Sequence, residues 1–537
     1  MKKILNYISL ILVLSLLSTV LIGCSQGVQT TIETSKGTED TNEEVKTPIN
    51  VTYWIAMGGS SSAVVSSYSE VLCFQEIEKR TNVKVEFKHP PAGGTAAEEQ
   101  FNLMIAGRDL PDIINYNWLV YPGGPEKAIG DNIIIKLNDI INDNAPAYKK
   151  ILDDNPHVSK QVLTDQGSLA FFGGLNLGRY KGSSGLMLRK DWLDDLGLDV
   201  PDTIDEWTNV LRQFKEKKES TAPFTTIMAH IGNTRNMFNG AFNTGYDYYL
   251  VDGQVMYAPI EPGYKDYLSL LNEWYSEELL DPDFASIDDK TRKSNMLNGK
   301  SGATYGAIGG NMGAFLDQAT TEGYDLVMAQ YPVLNKGDTP RFTLSSNELQ
   351  IAQAAITTAC KEIESVARYL DYFYTDEGRK LQNFGVEGVT YEIADGQPKY
   401  MDLIMNNPDG LTVAQALSKY TQSNYPSIGF NNEELYLKQY YQEYPQQQHA
   451  LEVISKYGDE WGKHMMMPPV SATPEESQEL AALETEIKTF RDEMFLKFIM
   501  GTEPLDNFDQ YVEQMKKMKV ERTIELKQAA VDRYNNR

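Results

Sequence analysis

Between residues 49 and 115 the apolar pattern changes period repeatedly, and few folds accommodate that. Ile49 to Trp54 alternates like a half-buried strand. Glu70 to Arg80 carries Val71, Phe74 and Ile77 at helical spacing, and Val83 to Phe87 alternates strictly. Ala96 to Ala106 reads as a second helix closed by Gly107, and Leu110-Pro111-Asp112 leads into a short strand at Ile113-Ile114-Asn115. Strand, helix, strand, helix, strand predicts a parallel sheet with right-handed crossovers, hence an α/β chain. In such open sheets a ligand sits beyond the carboxyl ends of the strands. Three loops qualify: Ala56 to Ser67, His89 to Thr95 and Tyr116 to Pro125.

At 537 residues the chain is long enough for two large lobes or several smaller units. Its 49 basic and 75 acidic residues leave a net charge of −26, which argues against nucleic acid or an anionic membrane surface as the general partner. Three cysteines provide neither a disulfide framework nor a zinc ribbon. Cys73 and Cys360 read as buried free thiols rather than a bridge.

The amino terminus points to export. Met1-Lys2-Lys3 is basic and Ile4 to Ile22 is apolar, the pattern of a signal sequence, although its 19 residues could also cross a bilayer as a permanent anchor. The ending Leu21-Ile22-Gly23-Cys24 resembles a bacterial lipobox and decides for cleavage. Residues 1–23 are then a lipoprotein signal peptide and Cys24 the acylated (palmitate-bearing) first residue, on the outer face of the cytoplasmic membrane of a Gram-positive cell. Residues 24–48, rich in Ser, Thr, Gly and Glu, read as a disordered tether.

Further along, Thr203-Ile204-Asp205-Glu206 spells a capping box, and Trp207, Val210, Leu211 and Phe214 share the following helical face. Tyr264, Tyr267, Leu268, Leu271 and Trp274 make another core stripe. Thr473-Pro474-Glu475-Glu476 is a second capping box with proline at the first helical position, opening a mostly helical tail.

Several strings match one family in its order: Gly107-Arg108-Asp109-Leu110-Pro111-Asp112-Ile113, Leu188 to Pro201, Leu370 to Gly378, Gly385 to Tyr391, and Phe498-Ile499-Met500-Gly501. The chain resembles the extracellular solute-binding lipoproteins of carbohydrate ABC importers, in their large alginate- and oligosaccharide-binding branch. The resemblance implies a two-lobed, periplasmic-binding-protein-like (type II) α/β fold whose hinge crossings let the lobes close like a jaw. It places lobe 1 at 49–171 and lobe 2 at 172–349. Residues 350–537 return to lobe 1 and end in a helical part shared with lobe 2. Leu169 to Gly174 would form the first crossing and Glu348 to Gln350 lie near the second. It further implies an oligosaccharide ligand, ABC permease subunits as partners, a monomer, no cofactor and no catalysis.

A sugar presents flat C–H faces and rings of hydroxyls, so its binder needs aromatic planes and planar polar groups. Beyond the first strands stand Trp54, Asn115, Tyr116, Asn117 and Trp118; each tryptophan can be a ligand platform or loop packing. The opposite lobe offers Arg179 and Tyr180, Phe238 and Asn239, and Tyr305 and Asn311 within the glycine-rich stretch from Ser301 to Gly313. Glu348, Glu387, Tyr391 and Trp461 complete the candidates. Gly58 to Ser62 lacks the ending of a P-loop, and the five histidines form no metalloprotease motif. No segment matches an EF-hand loop, and Asp281-Pro282-Asp283 reads as a helix-ending turn. Two rival functions remain open at this level. One is a surface glycoside hydrolase or polysaccharide lyase; the other is a peptide- or signal-binding protein of the same fold.

Overall fold

The computed structural model describes residues 47–91, 94–231, 237–245, 247–342, 345–422, 428–431, 434–458 and 465–537. The segments expected as signal peptide and (almost entirely) tether, with Cys24, and the candidate Trp461 lie outside these residues.

In chain order the strands are β1 (Ile49–Trp54), β2 (Val83–Lys88), β3 (Ile113–Tyr116), β4 (Phe172–Leu175), β5 (Ser184–Arg189), β6 (Phe224–Thr225) and β7 (Tyr248–Val251). They continue as β8 (Gln254–Tyr257), β9 (Ala303–Ala307), β10 (Leu326–Ala329), β11 (Leu349–Ile356), β12 (Tyr391–Ala394), β13 (Gln397–Tyr400) and β14 (Gly429–Phe430). One sheet has the order β14-β4-β11-β3-β1-β2 and a second has β10-β5-β9-β6, while β7-β8 and β12-β13 are separate hairpins.

The expected βαβαβ unit opens the first sheet. β1 pairs in parallel with β2 from Ile49↔Val83 to Trp54↔Lys88, and with β3 at Tyr53↔Ile113. Strict alternation in β2 buries Val83 and Val85 and exposes Lys84 and Glu86. The connecting helices run Leu72–Thr81 and Gly94–Gly107; the first is preceded by a 3-10 turn at Tyr68–Glu70, so it begins later than residue 70. Val51, Ile77, Ile113, Tyr148, Ile356 and Leu370 belong to the core of this lobe.

The second sheet is covered on both faces, and β5 shows how. Leu186 and Leu188 join a core with Trp207, Phe224, Trp274 and Phe498, whereas the intervening Met187 joins another with Met328, Tyr436 and Leu451. Both capping boxes form. Thr203 accepts from the Glu206 amide and Thr473 from the Glu476 amide, with each glutamate reaching back. The helix Pro474–Ile499 packs on Pro262–Ser276, where the Asn272 amide donates to the carbonyls of Phe498 and Ile499 at 3.0 and 3.1 Å. Its first turn reaches the other lobe through Gly123 N–H to Ser477 Oγ at 2.9 Å. The C-terminal helices therefore bridge the two lobes.

The structure moves the first crossing. Phe172–Leu175 is a buried strand of the first sheet, so the chain leaves that sheet after Leu175 rather than at Phe171, and Gly173-Gly174 lies within the sheet. Space is tight at Gly173: a Cβ there would stand 2.6 Å from Leu349 Cδ1. The chain returns at β11, and the outgoing and returning segments are tied by Asn176 N–H to the Glu348 carbonyl at 2.8 Å. β14 touches the first sheet beside β4 through Gly429↔Gly174. Beyond it the chain passes to the helices Glu434–Tyr440 and Pro445–Ser455 on the second sheet, which locates a third crossing.

Candidate ligand-binding site

At the carboxyl ends of β1 and β3 the candidates from the first lobe do come together, but they are packed. Trp54 is buried, with its indole N–H 3.4 Å from Gln100 Oε1. The Tyr116 ring stacks on Phe101 at 3.8 Å, and Trp118 meets both rings edge-on at 6.0 and 5.9 Å. Trp118 is 0% exposed, its side chain packed within the loop. Its backbone N–H donates to Gln353 Oε1 at 2.8 Å, and Asn115 donates to the Tyr53 hydroxyl at 3.2 Å. Trp118 Nε1 and Asn117 Oδ1 are buried without a hydrogen-bond partner among the described residues.

The other candidates scatter. Phe238 is fully buried, edge-on to Trp207, Phe224 and Trp274, so its ring is core. Asn239 clips its own loop through Met237 N–H and the Thr244 carbonyl. Arg179 and the Tyr180 hydroxyl both bond Glu452, at 2.5 and 2.8 Å. Tyr305 is buried beside the His230 ring at 5.2 Å. Glu348 is buried at the crossing and accepts from Gln161. Glu387 is exposed, and Tyr391 packs on Phe384.

A cavity of about 1000 Å³ instead opens where the loop after β1 meets the segment after β9. Gly59, Ser60 and Ala63 come from the first lobe and Asn311, Asp317 and Gln318 from the second. Asp289 and Lys293 add a charged edge. The helical region after β13 supplies Asn406, Asn407 and Gln415, then Tyr440, Glu443, Tyr444 and Gln447. Of the residues singled out from sequence as ligand contacts, Asn311 lines it. Asn311 Oδ1 accepts from Ala307 N–H at 2.9 Å, which turns the backbone at the strand end.

The glycine run there serves the protein's own packing. A Cβ on Gly309 would stand 2.5 Å from the Tyr440 hydroxyl, and one on Gly313 2.7 Å from Gln447 Nε2. Gln447 in turn donates to the Ile308 carbonyl at 2.7 Å. Burial pushes the Tyr440 phenol far up, so it stays a neutral hydroxyl. Asp289 is pushed up by burial, but Arg292 and Lys293 outweigh this and hold it below the usual carboxylate range. The wall thus combines amides, carboxylates and tyrosines, a set able to bond hydroxyls and cover an apolar face. The sequence signal for this wall was the density of Tyr and Gln between Tyr436 and Gln448. Among the described residues no group of three His, Cys, Asp or Glu could hold a metal ion, and no helix is long and apolar enough to cross a membrane.

The chain is similar to lipoprotein LipO of Bacillus subtilis, 23% identical over 360 residues that span 65% of this chain and 69% of LipO. It is also similar to FusA, the substrate-binding protein of a fructooligosaccharide ABC transporter of Streptococcus pneumoniae. There the identity is 25% over 354 residues, 62% of this chain and 63% of FusA. The crystal structure of alginate-binding protein AlgQ2 without calcium superposes with a TM-score of 0.72 at 25% identity, covering 91% of this chain and 98% of that one. FusA in complex with kestose gives 0.72 at 20% identity, covering 91% and 99%, and shows the same fold. The model of the bacterial extracellular solute-binding proteins matches residues 60–380, more than half of the 537, and with two sheets closing on a polar cavity at their strand ends the chain belongs to that family.

Proposed function

We infer that this protein is the substrate-binding lipoprotein of an ABC importer, capturing an oligosaccharide between its lobes and delivering it unchanged to membrane permease subunits. One observation carries the reading: a cavity of about 1000 Å³, between loops of both lobes, walled by amides, carboxylates and tyrosines. That volume reaches the upper end of small-molecule sites, which suits several sugar rings. The ligands named for FusA (kestose, a fructooligosaccharide) and AlgQ2 (alginate) support a saccharide. Three chain crossings near Asn176, Glu348 and Phe430 provide the hinge on which the lobes close. A lipid anchor at Cys24 and the tether behind it keep the protein at the outer membrane face, as a monomer.

The test is a glycan panel read by thermal shift. A matched oligosaccharide raises the melting temperature, because binding to the folded state alone stabilises it by mass action. A panel without any shift, or release of new reducing ends or unsaturated products, overturns the reading.

A further inference from the structure

We propose, resting on the sugar-capture reading, that the cavity accepts uncharged oligosaccharides and rejects uronates, and that Asp317 and Glu443 set this selectivity. The family relatives leave the choice open, since alginate is a polyuronate and kestose is neutral.

Four charged side chains line the cavity: Asp289, Lys293, Asp317 and Glu443. Lys293, the one cation among the described lining residues, is bonded to Asp289 at 3.0 Å. Arg292 also holds Asp289, at 2.7 Å, but it is fully buried and turned to Thr304 Oγ1 and the Tyr305 carbonyl. Asp289 is thereby paired with both cations, Lys293 is engaged by it on the cavity wall, and Arg292 is turned into the protein. Asp317 and Glu443 have no ion pair or hydrogen bond among the described residues. Partial desolvation and then the Asp317 carboxylate push Glu443 up, and burial, Glu443 and Asp317 do the same to the Tyr444 phenol.

A uronate needs a guanidinium or ammonium group to replace its lost hydration. Here it would meet two carboxylates on the cavity wall without an ion pair among the described residues, a like-charge juxtaposition that disfavours it. A sugar hydroxyl fares differently. It donates to a carboxylate in a short charge-assisted bond, and vicinal hydroxyls can satisfy both of its oxygens. The same two side chains therefore reward neutral rings and penalise acidic ones.

The test titrates the purified protein calorimetrically with two sets of probes. Kestose, nystose and manno-oligosaccharides form the neutral set; alginate and polygalacturonate oligomers of matched length form the anionic set. At least one neutral probe is expected to bind, with every uronate weaker by about a hundredfold or more, as close like charges demand. In a double variant, Asp317→Asn with Glu443→Gln, that gap narrows by about tenfold or more. Circular dichroism melts verify folding; both positions are exposed on the cavity wall. A uronate that binds as tightly as the neutral probes overturns the selectivity and leaves sugar capture standing. An unchanged gap in the double variant overturns the assignment to these two residues. Binding of neither set overturns the capture reading itself, and this inference with it.

Discussion

Gln161 and Glu348 are locked together where the chain crosses between lobes. The Gln161 amide donates to the buried Glu348 carboxylate while its Oε1 accepts from Leu349 N–H at 2.9 Å. The Glu348 carbonyl also accepts from Asn176 on the outgoing crossing. One glutamine thus satisfies groups on the returning segment, and that segment holds the outgoing one.

Replacing Gln161 by Ala leaves a buried acceptor and a buried N–H with a partner lost. We expect a stability loss of about 1–3 kcal/mol. Urea denaturation measures it, and an unchanged midpoint would show that water takes over both bonds.

Gly378 sits where the helix Asp376–Phe384 turns against its predecessor. Thr375 caps it by accepting from Gly378 N–H at 3.0 Å, and a Cβ there would stand 1.8 Å from the Tyr372 carbonyl. Gly378→Ala forces backbone to move and is expected to cost about 1–3 kcal/mol, as overpacking does. A wild-type melting temperature in this variant would refute the clash.

Glu476 gives a pH dependence whose sign can be stated. Burial pushes its carboxyl up, but the Arg533 fork, at 2.8 and 2.6 Å, and the Thr473 amide outweigh this and hold it below the usual range. The unfolded chain then binds the proton more readily than the folded one. The pair's stabilisation is present above the unfolded-state value and fades as pH falls through the folded one. Denaturant midpoints of Glu476→Gln should fall less steeply than wild type in the acid range; parallel curves would contradict the linkage.

Tyr444 and Trp118 should separate in their effects. Tyr444 is half-buried on the cavity wall, and Tyr444→Ala is expected to weaken glycan binding by about tenfold, the worth of a lost aromatic platform. Trp118 is wholly buried, so Trp118→Ala should cost about 3–5 kcal/mol of stability. Calorimetry and thermal melts on both variants check this; a Trp118→Ala protein with native stability would place that indole outside the core.

Cys24→Ser removes the thiol on which the proposed lipid anchor depends. Fractionation should find the variant released from membranes, and continued retention would contradict the lipid anchor.

Much of the local structure could be read directly. Thr203 and Thr473 have the spacing of capping boxes, Val83 and Val85 alternate, and Trp207 and Trp274 fall on apolar helical stripes. These signals span a few residues, and neighbours along the chain decide them. What pairs with what over hundreds of residues is another matter. The resemblance puts the first crossing at Leu169 to Gly174, yet Phe172 to Leu175 is a buried strand, and Leu349, 176 positions beyond Gly173, packs where a Cβ on that glycine would stand. Sequence leaves Trp118 open between ligand platform and loop packing; only the fold brings Phe101, Tyr116 and Tyr121 around it.

The sequence by itself determined the periodicities, the helix caps and the kinship of the chain, because each is local or spelled in consecutive residues. Tertiary structure alone decided which polar side chains share a cavity. Ser60, Asp289, Asn311, Gln415 and Glu443 meet there from five separate stretches of chain. Such meeting depends on how two sheets and a helical segment pack, and packing is a property of the whole folded chain rather than of any stretch within it.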